Sequence, residues 1–198
     1  MLLAKIKEAL GSLYEDIQQA PEAEEPEVPA EETVSEASTP VAEEGAAEQG
    51  EETAEAAAEV PEEAPAPPGP QETDYKAKGY HLDVSLPPEK VVAAAEILYR
   101  ESFFIEAITG VDWLDENQME VVYDFNHFDE LCRVIIRSRL DRSNPEIPTI
   151  SDIYQGANWH ERETHDFFGI KFTGHPNLIP LLLPEDADFH PLRKDFKA

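Results

Sequence analysis

Residues 21–72 decide what the rest of this chain can become. The segment carries 17 of the chain's 43 acidic residues and neither Lys nor Arg. Built mainly from Pro, Ala and Glu, it contains no Leu, no Ile and no aromatic residue. Such a composition buries too little apolar surface to offset the entropy of ordering, and its like charges repel. The expectation is a disordered, extended linker over residues 21–73. Any core must come from residues 1–20 and from residue 74 onward, which is room for one ordinary domain.

The formal net charge of −28 argues against nucleic acid or anionic lipid as direct partners. Outside the acidic segment the imbalance shrinks to 26 acids against 15 bases, so the foldable part is only moderately acidic. The single cysteine, Cys132, allows no disulfide within the chain. It cannot by itself hold an iron–sulfur cluster, which needs about four protein ligands. No run approaches the ~18–20 apolar residues of a membrane span. Residues 1–20 lack the continuous apolar stretch of a signal peptide. A soluble protein kept in a reducing compartment is expected.

Residues 2–19 place Leu3, Ile6, Leu10, Leu13 and Ile17 at steps of three and four, on one helical face. That face could pack on its own domain or on a partner. Alternation over residues 80–86 reads as a strand, and Pro87-Pro88 introduces a helix over 89–102. Strands follow over 103–111, 119–125 and 131–140, with a turn at Asp115-Glu-Asn117. The last strand sets Cys132, Val134 and Ile136 against Arg133, Arg137 and Arg139, which places the thiol among core residues as a small hydrophobe. Residues 141–148 are polar and proline-broken, a loop. A helix over 158–168 has Asn158 as candidate N-cap and Gly169 as its stop. The tail, 173–198, combines four prolines with Leu178, Ile179, Leu181, Leu182, Leu183, Phe189 and Leu192. So apolar a stretch is expected to lie along another surface.

His160, His165, His175 and His190 cluster near Glu161, Glu163 and Asp166 and suggest a metal site or a hydrolase. The zinc-protease pattern requires histidines four apart. Here Thr164 stands at that position, and His165 comes one residue later. At ~100° per residue the two rings diverge by roughly 140°, too far to share a metal on one regular helix. The spacing instead allows Arg162 to pair with Asp166, and Glu161 with a protonated His165. No dinucleotide-binding, phosphate-loop or nucleophile-elbow pattern occurs.

The run from Ala157 to Pro176 resembles the signature of the 30 kDa subunit (the C subunit) of NADH-quinone oxidoreductase, respiratory complex I. Its matching positions are Trp159, Glu161, Arg162, Glu163, Asp166, Phe167, Phe168, Gly169, Ile170, Phe172, Gly174, His175 and Pro176. The ending His190, Pro191, Leu192, Arg193, Lys194 and Asp195 resembles that family's ending, and residues 108–113 and 148–153 fit as well. The resemblance implies an α/β (α+β) fold: one mixed sheet with helices on one face, preceded by the N-terminal helix and followed by an extended C-terminal tail. It implies a domain over residues 74–172 and a tail, 173–198, that docks chiefly on the quinone-site subunit of the complex, and also on two further subunits; the three are subunits B, D and I, with D carrying the quinone site. The signature residues would then be partner-docking positions. Glu161, Arg162, Glu163 and Asp166 would order the helix, while Arg193 and Lys194 would supply the tail's ionic contacts. It further implies a subunit without catalytic residues or cofactor, in a complex carrying electrons from NADH through FMN and iron–sulfur clusters to quinone. That complex sits in the cell inner membrane, and this subunit would be peripheral on its cytoplasmic side. Ile179 and Pro180 stand where the family usually has two arginines, and Phe189 where it often has Gly. Those departures suggest a divergent branch, one using an electron donor other than NADH or belonging to a related membrane-bound hydrogenase.

Overall fold

The computed structural model describes residues 1–18 and 69–197, with side chains for 1–14 and 69–197. The linker expectation for residues 21–68 and the place of the Ile17 side chain lie outside that range.

Helix α1 (Leu2–Gln18) leads the chain. Ile6 and Leu10 are fully buried and Leu13 nearly so, in a core shared with Val91, Ala94, Ala95 and Leu98 of helix α3 (Val91–Arg100). Of the two readings left open, α1 therefore packs on its own domain. Burying each of the Ile, Leu and Val side chains contributes about 1.5–3 kcal/mol.

Five strands form one mixed sheet: β1 (Gly69–Glu72), β2 (Leu82–Ser85), β3 (Phe103–Trp113), β4 (Gln118–His127) and β5 (Arg133–Asp141). Their spatial order is β1-β2-β5-β4-β3, with β2 and β5 parallel and every other pairing antiparallel. Period-two alternation sorts the side chains. Leu82, Val84, Met119, Val121, Tyr123, Phe125, Val134 and Ile136 are fully or almost fully buried under the helices. Arg133, Arg137 and Arg139 lie on the opposite face, paired with Asp124, Asp83 and Glu120.

Strand β1 is a correction, because residues 69–72 fall inside the expected linker. Residues 69–71 are only partly buried and Glu72 is exposed, so what fixes them is main-chain pairing with β2, which composition does not reveal. The helix expected from residue 89 begins as a 3₁₀ turn, Pro88–Lys90, and a one-turn helix α2 (Tyr75–Lys78) precedes β2. Part of the expected loop 141–148 is also ordered: β6 (Glu146–Pro148) pairs in parallel with β7 (Lys171–Thr173) as a second, two-stranded sheet. A parallel pair needs a crossover connection. Here helix α4 (Ala157–Phe168) supplies it and packs along β3. Gly156, not Asn158, holds the N-cap of α4, without a side-chain cap.

Candidate docking site

Helix α4 and the tail form one unit, and the side chains that join them are the charged residues of the sequence signature. Asp166 is 3% exposed, and its Oδ2 accepts the main-chain N–H groups of Leu181, Leu182 and Leu183 at 2.8, 2.7 and 3.3 Å. One turn earlier, Arg162 donates from Nε to the carbonyl of Ile179 and from Nη2 to that of Pro180, at 3.0 and 2.9 Å. Its guanidinium carbon lies 5.4 Å from the centre of the Trp159 ring. The expected Arg162–Asp166 and Glu161–His165 pairs do not form. Buried charges take the donors and acceptors that the irregular tail leaves unmet, which is worth more than an exposed pair along the helix. Because Arg162 binds main-chain carbonyls, this contact does not call on the Ile179 and Pro180 side chains.

Glu161 faces inward with no exposed surface. Its Oε1 accepts the Ile150 N–H at 2.8 Å, and Oε2 meets the Thr149 hydroxyl. Burial raises its carboxyl from the ordinary 4.5 to about 7. His175, also with a fully covered side chain, sets Nε2 3.8 Å from Glu161 Oε2 and donates it to the Asn158 carbonyl at 3.3 Å. Its Nδ1 accepts the Asn177 N–H at 3.1 Å, and burial lowers its pKa. Two partners of opposite kind fix a neutral tautomer.

The chain's end is held at a second anchor. Asp112, 3% exposed, receives Nε and Nη2 of Arg142 at 2.8 and 3.2 Å and the Lys194 N–H at 2.8 Å. Arg142 also reaches Asp195 at 2.7 Å. Those contacts hold the Asp112 carboxyl below its ordinary value, chiefly through the Arg142 hydrogen bonds. His190 Nδ1 donates to Asp166 O at 2.8 Å, Arg193 Nε to Phe168 O at 2.7 Å, and the Leu192 N–H to Phe167 O at 3.2 Å. Among the described residues, the salt bridge the tail makes within the chain is that of Asp195. Arg193 serves a carbonyl, and the Lys194 ammonium lies 5.9 Å from the Trp113 ring centre.

Gly169 does more than stop α4. At φ +75° a side chain is strained, and a Cβ there would come within 2.5 Å of both Arg193 Nη2 and His190 Nε2. The tail crosses the helix end at that point. Phe172 is buried in β7, Gly174 carries the chain out of it, and Pro176 and Glu163 stand exposed. Pro191 is half-buried, and Phe189 stacks on Phe196 with ring centres 5.6 Å apart, a contact that a glycine could not make.

Sequence reasoning missed Arg142 and Thr149. One sat in an expected loop and the other outside any element. Only the tertiary structure sets them beside Asp112 and Glu161. Apolar side chains of the tail and of α4 do not disappear: Ile179, Leu182 and Leu192, with Trp159 of the helix, are all more than half exposed. The main chain is tied down, Leu178 packs on the core, and these side chains stay open.

Residues 84–198 match the family model described as the respiratory-chain NADH dehydrogenase, 30 Kd subunit. The C subunit of NADH-quinone oxidoreductase from Roseiflexus sp. (strain RS-1) is 44% identical over 119 residues, covering 58% of this chain and 68% of the relative. The C subunit of F(420)H(2) dehydrogenase from Methanosarcina mazei is 40% identical over 93 residues, covering 46% of this chain and 59% of the relative. Among solved structures, a chain of the membrane-bound sulfane sulfur reductase, an archaeal respiratory membrane complex, superposes with a TM-score of 0.54 at 30% identity. That match covers 59% of this chain and 71% of the other.

Proposed function

Because the chain belongs to the respiratory-chain NADH dehydrogenase 30 Kd subunit family, we propose that it is a non-catalytic structural subunit docking subunits B, D and I. The complex is a proton-translocating NADH-quinone oxidoreductase, and the subunit's place is its peripheral arm on the cytoplasmic side of the inner membrane. FMN, the iron–sulfur clusters and the quinone site belong to other subunits. Among the described residues, no helix is long and apolar enough to cross a membrane. Membrane attachment through the complex accommodates that.

One observation carries this reading. The tail's main chain is fixed by Asp166, Arg162 and Asp112, while Ile179, Leu182, Leu192 and Trp159 point away from it. A strip ordered before it meets a partner spares the partner the entropy of ordering it. The exposed Trp159 ring beside that strip suits a protein interface, where aromatic side chains carry much of the energy.

The test is affinity purification of the full chain from its native host. Co-purification of subunits B, D and I supports the reading, and recovery without them overturns it. Replacing Ile179 and Leu182 by Asp should abolish recovery of the quinone-site subunit while leaving the far-ultraviolet circular dichroism unchanged.

A second reading keeps the role and changes the machine, to a complex with another electron donor or a membrane-bound hydrogenase. The likeness to an F(420)H(2) dehydrogenase subunit and to a sulfane sulfur reductase chain favours it. Mass spectrometry of the same preparation separates the two. A nickel-iron hydrogenase large subunit in place of the quinone-site subunit selects the hydrogenase.

A further inference from the structure

A second exposed surface lies at the other end of β3 from the tail anchor. Phe104 is the second residue of that strand and Asp112 the last but one, eight residues and roughly 25 Å apart at the usual strand rise. Here the Phe104 and Phe128 rings meet with centres 4.8 Å apart, and Phe128 is 70% exposed. Beside them opens a cleft of about 490 Å³, lined by Tyr99, Phe104, Ile105, Ile153 and Tyr154, with Asp152 in its wall. Contiguous apolar surface of this kind, rimmed by polar residues, is what marks an interaction site on a folded domain.

The charge around it that lacks an ion-pair partner has one sign. Asp129 and Glu130 share the turn of Phe128, which is built rigidly: His127 Nδ1 accepts both of their main-chain N–H groups, at 3.1 and 3.0 Å. Among the described residues, Asp129, Glu130 and Asp152 have no salt-bridge partner. The nearby cations are already engaged, Lys5 with Glu101 at 2.5 Å and Arg100 with Glu96 at 2.9 Å. An aromatic-walled cleft with a carboxylate in its wall suits a long cationic side chain. The stem lies along the rings, the charge gains from their faces, and the carboxylate meets the head.

We propose that this face is a second docking surface, seating a basic segment of a neighbouring protein. One Lys or Arg side chain of that segment enters the cleft along Tyr99 and Phe104 toward Asp152, and an apolar neighbour covers Phe128. The inference rests on the reading that the chain works inside a multi-subunit assembly, but not on the tail contacts.

The experiment replaces Phe128 with a photoreactive benzophenone amino acid in the full chain, expressed in the native host. After irradiation of the purified assembly, the linked peptide is identified by mass spectrometry. A parallel sample carries the probe at Leu182. The expected result is one linked peptide from another protein, with Lys or Arg within a few residues of an apolar side chain. Its yield should fall at least tenfold with Asp152→Lys and survive Asp152→Glu. Asp152 is exposed, so neither change disturbs the core. Linkage to a second copy of this chain, to an acidic segment, or at a yield indifferent to Asp152→Lys overturns the proposal. So does silence at Phe128 while Leu182 links. Silence at both positions removes the assembled-subunit reading along with it.

Discussion

Replacing Asp166 tests whether the tail is ordered by the domain itself. Its carboxylate, 3% exposed, is the shared acceptor of three consecutive amides, two of them at 2.7–2.8 Å and the third at 3.3 Å. Hydrogen bonds to a charged acceptor contribute about 1.5 kcal/mol or more each, and the longer one less. Asp166→Ala should therefore release residues 181–183 at a cost of about 3–4 kcal/mol. At 1.4 kcal/mol per tenfold, hydrogen exchange of those three amides should accelerate by roughly 10²–10³. Exchange in β4 and β5 should change far less, because the tail can open locally while the sheet stays folded. Asp166→Asn keeps an oxygen of the same shape without the charge, so it should lose only part of the effect, about 1–2 kcal/mol. Mass-resolved exchange on the isolated full chain reads both quantities. Unchanged protection at 181–183 in Asp166→Ala would refute the reasoning. An acceleration spread evenly over the whole sheet would refute it too, because tail and domain would then open as one.

Other buried contacts give further outcomes. Burial lifts the Glu161 carboxyl to about 7, so the folded chain holds this proton more tightly than the unfolded one. That contribution is complete below about pH 4.5 and is lost as pH rises through 7. Urea titrations of the wild type and Glu161→Gln from pH 4.5 to 8 should diverge by on the order of 2–3 kcal/mol, the variant keeping its stability at high pH. Parallel curves would remove this account. Arg142→Met leaves the Asp112 carboxylate buried with only the Lys194 amide, and should cost about 3–5 kcal/mol at pH 7. Since the folded Asp112 carboxyl is depressed, the cost should shrink on acidification as that group protonates, and Asp112→Asn in the same chain should recover part of it. A Cβ on Gly110 would stand 2.5 Å from the Phe168 ring. Gly110→Ala should lower stability by about 1–3 kcal/mol in thermal unfolding, with partial recovery when Phe168→Leu is added. A variant as stable as the wild type would mean that Phe168 does not pack there. Finally, deleting residues 174–198 strips Asp166 and Arg162 of their partners at positions where water reaches poorly. The truncated chain should unfold at a lower urea concentration than the full chain and fail to assemble; equal midpoints would mean that the tail adds nothing to the domain.

The sequence alone determined the elements whose side-chain period is set by burial on one face. The α1 stripe of Ile6, Leu10 and Leu13, and the alternation of β4 and β5, were legible because each residue's environment repeats with the local geometry. The signature of α4 was legible as a pattern, and with it the family. What Glu161, Arg162 and Asp166 do was not, because a charged residue on a helix looks the same whether it faces water, a neighbour on its own turn or a main-chain group far along the chain. Local spacing favoured pairs along the helix. The tertiary structure decided otherwise, because the tail's irregular backbone brings unmet N–H and C=O groups that only buried charges nearby can satisfy. Strand β1 and the pairing of β6 with β7 belong to the same class: main-chain partnerships, which leave no mark on the side chains that a sequence displays.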